Sequence, residues 1–101
     1  MPTPSSDKAA IRQVIRALVN DGYELVRVDN REEFISVTNE SEAIEAITEV
    51  DEAALYVKYG NHNTTHWVYF VLDNVPYVVV GDYSESLSHV INPLIDSWWE
   101  D

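Results

Sequence analysis

The run HWVYFVL, residues 66–72, restricts the fold more than any other segment of this 101-residue chain. Its side chains alternate between two apolar faces, formed by Trp67, Tyr69 and Val71 and by Val68, Phe70 and Leu72. A strand that is apolar on both faces is usually central in a sheet and covered, or half covered, on both sides. We therefore expect a sheet with this segment inside it.

Two neighbouring segments predict that the sheet includes a meander. ALYVKY, residues 54–59, alternates apolar and polar side chains, and PYVVVGDY, residues 76–83, is rich in β-branched residues. Asp73-Asn74 is a two-residue turn that tolerates positive φ. Pro76 stands near the start of a strand, where a missing N–H is least harmful. Three consecutive antiparallel strands follow from these signals.

A hairpin is predicted earlier in the chain, in YELVRVDNREEFISV, residues 23–37. The Asp29-Asn30 pair is a turn signal. The apolar residues on its two sides are Leu25, Val26 and Val28, then Phe34, Ile35 and Val37. Both sets fit short strands.

The first helix is predicted between a cap at Ser5 or Ser6 and a stop at Gly22. Its apolar residues recur at three-and-four spacing: Ala10, Ile11, Val14, Ile15, Leu18 and Val19. A basic ridge, which we define as Lys8, Arg12 and Arg16, follows another side of the same helix.

Two further helices are predicted. Asn39 with Glu42 three residues later is a capping-box pattern for the second helix, whose inward residues are Ala43, Ile44 and Ile47. Ser84 can cap the third helix, and Pro93 inside its apolar stripe predicts a kink or a restart.

The order helix, two strands, helix, three strands, helix is typical of a two-layer α+β domain with an antiparallel sheet. We expect one domain spanning residues 1–101, with residues 1–4 as a flexible tail. A chain of this length can bury one core without disulfides or metal, and it has no cysteine.

Acidic residues dominate the charge. Eighteen Asp and Glu against six Lys and Arg give −12, and residues 32–52 alone carry −8 because they contain no base. Direct binding to nucleic acid or to an anionic membrane needs basic patches, which this chain nearly lacks. Residues 1–13 show no signal pattern and no apolar run has the length of a membrane helix, so we expect a cytoplasmic protein.

Two of the three histidines, His62 and His66, lie in the segment YGNHNTTHWVYF. A His-x3-His pair binds metal when both rings share one helix face, but the Gly and Asn residues around this pair disfavour a helix. A third ligand would have to come from His89 or a carboxylate. The pattern therefore indicates a polar hairpin loop and no metal site, while the convergence of the three histidines stays open.

Catalytic motifs are missing from the sequence. It has no Gly-x-Ser-x-Gly elbow, no cysteine nucleophile and no clustered glycines that could hold a phosphate. We expect no catalytic residues and no cofactor. One alternative is a small metal-dependent or acid/base enzyme that uses His62, His66 and carboxylates.

The acidic residues of the second helix predict a binding surface. Glu42, Glu45 and Glu49 share its solvent side, spaced by ~4.5–6 Å along the axis, the same order as the ~3.4 Å between phosphates of one DNA strand. The basic ridge opposes such mimicry, because it offsets the field nearby. An alternative role for the ridge is to pair within the molecule with acids such as the Glu residues of the second helix. The predicted contact residues are Glu42, Glu45, Glu49, Asp51 and Glu52, with Trp99 as a secondary one.

The aromatic residues of the predicted meander form a second candidate surface. Tyr56, Trp67, Tyr69, Tyr77 and Tyr83 come from its strands and its exit. They belong to the core unless three helices leave one face of a five-stranded sheet open, in which case they form the kind of surface that interfaces favour.

Residues 67–85 resemble the strand–turn–strand–helix ending of small acidic proteins carried by proteobacterial phages and prophages. The likeness is carried by Trp67, Val68, Leu72, Asn74, Pro76, Asp82 and Tyr83, whereas Val75 stands where those proteins have a glycine or a charged residue. No function is attached to those proteins, so no site residue is carried over. The resemblance implies a mobile-element origin and favours an inhibitor.

The sequence thus predicts a non-enzymatic acidic binding protein that engages a basic protein, either as an inhibitor or as a DNA mimic. Besides the enzyme alternative, a third hypothesis is that the acids only solubilise the domain and no charge-driven partner exists. The identity of the partner and the oligomeric state stay open.

Overall fold

A five-stranded antiparallel sheet with helices against one face forms the structure, a computed structural model that describes residues 6–72 and 80–98. Its elements in chain order are α1 Asp7–Asn20, β1 Tyr23–Asp29, β2 Phe34–Ser36, α2 Glu40–Thr48, β3 Glu52–Tyr59, β4 Thr65–Val71, β5 Val80–Tyr83, and α3 Ser88–Trp98, which a short 3-10 turn, Glu85–Leu87, precedes. The predicted α+β class and element order are confirmed. The predicted tail, the Asp73-Asn74 turn, Pro76, Tyr77 and Trp99 lie outside the described residues.

The predicted cap and stop of α1 are both present. The Ser6 hydroxyl accepts a hydrogen bond from the Ala9 N–H, and Gly22 follows the helix with φ +106°. The apolar stripe is buried as expected except for Val19, which is 49% exposed. Its assignment to the core was wrong because the last turn of α1 runs past the core and lines an open groove beside β1.

The sheet has the strand order β2-β1-β3-β4-β5. The segment HWVYFVL supplies most of β4, which is paired on both sides. Val68 and Phe70 are fully buried on the helix side, while Trp67 and Tyr69 are half-buried on the other. The expected placement of this run inside the sheet is therefore confirmed.

A β-bulge in β1 determines which of its side chains enter the core. Leu25 lies opposite Val57 and Arg27 lies opposite Tyr56, so Val26 is an extra residue in the ladder. After the bulge Val28 is fully buried and Arg27 is on the opposite face. Without it, strict alternation would bring Leu25 and Arg27 to the same face.

The start of α3 differs from the prediction. The Ser84 hydroxyl accepts from the Trp67 N–H instead of capping the helix, and the 3-10 turn provides the transition. Pro93 lies inside a continuous helix, so the predicted restart at Pro93 was wrong. Trp98 ties α3 to α1, because its Nε1 donates to the Gln13 Oε1 over 2.8 Å.

The core lies between the helices and the helix side of the sheet. Its largest fully buried side chains are Phe70, Ile11, Ile15, Leu18, Ile47, Leu55, Leu87 and Ile91. In residues 6–72 and 80–98, none of the helices has the length and apolar character needed to cross a membrane.

Candidate functional site

Three glutamates of the predicted acidic surface lie along one exposed flank of α2. We call Glu42, Glu45 and Glu49 the acidic row; all three are exposed, and the first and second belong to the helix while the third is its C-cap. The sequence places them there because the other side of α2 consists of the buried residues Ala43, Ile44, Ala46 and Ile47.

In the described residues the basic ridge of α1 forms no ion pair with the acidic row, although Lys8 and Arg12 line one groove with Glu45. It pairs with another Glu of α2, which confirms the predicted alternative of pairing within the molecule. Arg16 forms a two-point hydrogen-bonded pair with Glu40, at 2.7 and 3.3 Å, and the Arg12 Nε lies 3.7 Å from the same carboxylate. The hydrogen bond to Glu40 and its charge raise the pKa of Arg16. Within the described ranges, no Lys or Arg nitrogen lies within 4.0 Å of a carboxylate oxygen of the acidic row.

Glu42 has a structural task as well as an exposed position. Its Oε1 accepts hydrogen bonds of 2.9 Å from both the N–H and the hydroxyl of Thr38, while the Asn39 side chain accepts from the Glu42 N–H. This is the predicted capping box with one difference. The Glu42 carboxylate accepts from the N–H of Thr38 and not from the N–H of the cap residue Asn39. The bonds from Thr38 lower the pKa of Glu42 and hold its carboxylate in one place.

Asp51 and Glu52, which were also predicted to contact a partner, do not form one continuous surface with the acidic row. Asp51 is exposed in the turn after α2 and shares a shallow groove with Glu49. Glu52 opens β3 on the face opposite the helices and is paired with Arg31 at 2.9 Å. The predicted surface therefore separates into the acidic row with Asp51 nearby and a neutralised Glu52.

The histidines gather around two tyrosines at one end of the sheet. Tyr23 contacts Tyr59 edge-on at 5.1 Å between ring centroids, and lies 5.9 Å from His66 and 6.5 Å from His89. His62 packs edge-on against Tyr59 at 6.0 Å. Burial, followed by the nearby Asp21 carboxylate, raises the pKa of the Tyr23 phenol.

His66 and His89 each have a separate hydrogen-bond partner. Ser86 Oγ lies 2.6 Å from His66 Nδ1, and His89 Nε2 lies 2.8 Å from Asp21 Oδ2. No pattern in the sequence predicts these pairs, which join residues 20 and 68 positions apart. A Ser–His pair and a His–Asp pair on different imidazoles do not make a triad. In the part of the chain that the structure describes, no three His, Asp or Glu side chains are placed to hold a metal ion.

The sheet face opposite the helices carries an aromatic patch that no described helix covers. We call it the open face; its large aromatic residues are Phe34, Tyr56, Trp67 and Tyr69. Phe34 is 64% exposed and the other three are half-buried. The predicted case in which three helices leave one face open is the one that the structure shows. Phe34 lies in the second strand of the hairpin, as predicted, and its side chain is on this face.

Arg27 is the central cation of the open face. Its guanidinium carbon lies 4.3 Å from the ring centroid of Tyr56 and 5.3 Å from that of Phe34, which is cation–π geometry. The sequence analysis missed this residue. The signal was the adjacent apolar pair Leu25-Val26, which breaks the strand alternation and indicates the bulge that turns Arg27 outward.

An open groove of about 560 Å³ lies between the last turn of α1, β1 and the segment that begins α2. Its apolar lining is Ile15, Val19, Tyr23 and Leu25. Three charged residues also line it: Arg16 and Glu40, which are bound to each other, and Glu24, whose carboxylate lies 3.9 Å from the Lys58 Nζ. The groove therefore has no free charge from Arg16 and Glu40 with which to orient a polar ligand.

Comparison with protein-family models finds none that matches this chain, and comparisons with curated proteins and with solved structures find no match either.

Proposed function

We propose that the protein is a non-enzymatic, cytoplasmic binding protein that presents the acidic row to a basic protein. The observation that carries this proposal is that Glu42, Glu45 and Glu49 are exposed on one flank of α2 without a Lys or Arg partner in the described ranges, while the neighbouring bases Arg12 and Arg16 are held by Glu40. Charges left unpaired in this way are available to a partner.

The electrostatics of the chain support a charged partner of opposite sign. A formal charge of −12 attracts basic surfaces from a distance and accelerates their encounter. Thr38 fixes the Glu42 carboxylate, so part of the row is ordered before binding. An inhibitor of a cationic protein and a DNA mimic are the two forms of this function, and a mobile-element origin favours the inhibitor.

The first test reverses charge where no structural hydrogen bond is lost. Glu45→Lys/Glu49→Lys keeps the Glu42 cap and should leave stability within about 0.5 kcal/mol, as is usual for exposed positions. Immobilised wild-type protein is exposed to a bacterial lysate at low salt, and retained proteins are identified by mass spectrometry. We expect the wild type to retain basic proteins. The amount of each that the double variant retains should be at least tenfold lower.

A control variant separates position from total charge. Glu32→Lys/Glu33→Lys changes the net charge equally, at exposed residues of the β1–β2 turn. It should retain the same proteins as the wild type. The amount of each retained protein should be larger than for Glu45→Lys/Glu49→Lys. Equal loss in both variants would mean that only the total charge matters, and equal retention in all three would remove the acidic row from the proposal.

A further inference from the structure

We propose that an extended basic segment of the partner protein adds to the sheet as a further strand, antiparallel to β2 at its outer edge, with its basic side chains on the acidic row and its apolar side chains on the open face. The inference rests on the proposed function, because it states how the basic partner is held. Three observations carry it: an unpaired strand edge, an acidic groove beside that edge, and an exposed phenylalanine on the strand itself.

The outer side of β2 is unpaired. This strand stands first in the strand order and pairs only with β1 among the described strands. The Glu33 carbonyl and the Val37 N–H both form hydrogen bonds with β1, so the alternate residues 33, 35 and 37 direct their backbone groups inward. Phe34 and Ser36 therefore direct their N–H and C=O groups outward. Main-chain hydrogen bonds to such groups provide affinity when an extended peptide adds to a sheet.

A groove of about 240 Å³ follows this edge, between residues 35–37 and the exposed flank of α2. All three glutamates of the acidic row line it, and no Lys or Arg of the described ranges does. The row runs alongside β2, because Glu42 binds the Thr38 N–H just after the strand and Glu49 shares a groove with residues 30–32 of the turn before it. A strand added to this edge therefore passes beside all three carboxylates.

The spacing of the acidic row fits the alternate residues of a strand. Along the helix axis Glu42 and Glu45 are ~4.5 Å apart and Glu45 and Glu49 are ~6 Å apart, whereas every second residue of a strand recurs at ~6.8 Å. Over three positions the mismatch is about 3 Å, which the long, flexible stem of a lysine can cover. Basic residues at alternate positions of the segment can therefore each meet one glutamate.

The other face of the added strand meets Phe34. Phe34 and Ser36 lie on the open face, across from Asp29 and Arg27 of β1, and Phe34 is 64% exposed. In an antiparallel pair, the residue directly opposite Phe34 places its side chain on the same face, within contact of the ring. We therefore expect the segment to be apolar, with β-branched or aromatic residues, at the positions between its basic residues.

Charge excludes a second copy as the occupant of this edge. Pairing β2 of two copies in one continuous sheet would place the two acidic rows side by side, and the exposed Glu32 and Glu33 before the strand would add to the repulsion. Shortness and nearby charge are devices by which edge strands avoid self-association, and β2 has only three residues. The same negative charges attract a basic segment.

A synthetic heptapeptide of alternating lysine and valine, with lysine at both ends, tests the contact directly. Its dissociation constant with the wild-type protein is measured by fluorescence anisotropy at low salt. A control peptide of the same composition, with its valines consecutive, should bind at least tenfold more weakly. N-methylation of the valines should also weaken binding at least tenfold, because in the antiparallel arrangement their N–H groups face Phe34 and Ser36. N-methylation of the lysines, whose N–H groups face away from β2, should change binding less than threefold.

A variant of the strand edge complements the peptides. Ser36→Pro removes an outward N–H without removing a hydrogen bond to β1, and proline is tolerated on edge strands. It should bind the alternating peptide at least tenfold more weakly than the wild type. Ser36→Thr, the matched control, keeps the N–H and should bind like the wild type. Circular dichroism confirms that both variants are folded, and the peptide comparisons decide the inference on the wild type alone if Ser36→Pro is not.

Failure of this inference is distinguishable from failure of the proposed function. In the lysate experiment, Ser36→Pro should lose the same basic proteins as Glu45→Lys/Glu49→Lys. Proteins that the charge variant loses but Ser36→Pro keeps would overturn the added strand and leave the acidic row as the binding surface. If the wild type retains no basic protein, the proposed function fails, and the peptides still decide the inference. Equal binding of the alternating and control peptides, or unimpaired binding of the N-methylvaline peptide, overturns it.

Discussion

Glu42 combines a structural and an electrostatic role in one carboxylate, and both roles depend on its charged form. Hydrogen bonds from the Thr38 N–H and hydroxyl lower the pKa of Glu42 below its ordinary value of 4.5. The charged form therefore stabilises the fold. This stabilisation is complete above pH 4.5 and is lost as the pH falls through the lower pKa of the folded state.

We expect Glu42→Gln to be less stable than the wild type at pH 7, because a neutral amide is a weaker acceptor for the two Thr38 donors. The difference should shrink steadily as the pH falls below 4.5. Urea unfolding followed by circular dichroism between pH 7 and pH 3 measures it. Glu45→Gln is the control for losing one negative charge from the same helix without losing a hydrogen bond to Thr38. A stability difference that stays constant over this pH range would show that Glu42 does not act through its charge.

At the level of elements, the sequence predicted the features that depend on residues close to one another in the chain. The caps at Ser6 and Asn39, the buried side of α2 and the two-sided character of β4 all follow from residues within a few positions of one another. Local propensity and periodicity carry this information.

Contacts between distant residues were not predictable in the same way. The pairing of Ser86 with His66 and of Glu52 with Arg31 depends on which elements pack together. The exposure of Val19 and the outward position of Arg27 depend on where α1 ends over the sheet and on one bulge. The acidic row could be read from spacing; the open face could only be named as a possibility.

The bulge at Val26 makes an element-scale prediction. Deleting Val26 restores strict alternation in β1, with Tyr23, Leu25 and Val28 on the core side. The deletion loses the half-buried Val26 side chain and the hydrogen bond from the Val37 N–H to the Val26 carbonyl. We expect the variant to fold with a free energy of unfolding lower by about 1–2 kcal/mol, measured by urea titration.

Deleting Tyr56 from β3 is the matched control, since β3 pairs with β4 without a register shift. Any realignment turns Leu55 or Val57 onto the open face and moves Glu52 or Lys58 towards the core. This variant should show no cooperative unfolding. If both deletions unfold the protein, the β1 bulge is not a place where the chain tolerates a change of length.

On the scale of the whole molecule, charge is divided unequally between two surfaces. The acidic row lies on the strongly negative side, whereas the open face is nearly neutral, with the bases Arg27, Arg31 and Lys58 on it or at its rim against the acids Glu24, Asp29, Glu52 and Asp82. Binding of this chain, of formal charge −12, to a basic protein is an attraction between opposite charges. Added salt screens that attraction.

Salt should therefore weaken retention of basic proteins by the acidic row. Between 0.01 M and 0.1 M NaCl the screening length falls from ~30 Å to ~10 Å, below the 38 × 27 × 21 Å dimensions of the molecule. We expect the basic proteins that the immobilised wild type retains from a bacterial lysate at 0.01 M NaCl to be released at 0.1 M, as measured by mass spectrometry of the bound fraction. Glu45→Lys/Glu49→Lys has a formal charge of −8, so its weaker retention should respond less to salt. Retention by the wild type that stays the same at both salt concentrations would show that the contact does not depend on the charge of the acidic row.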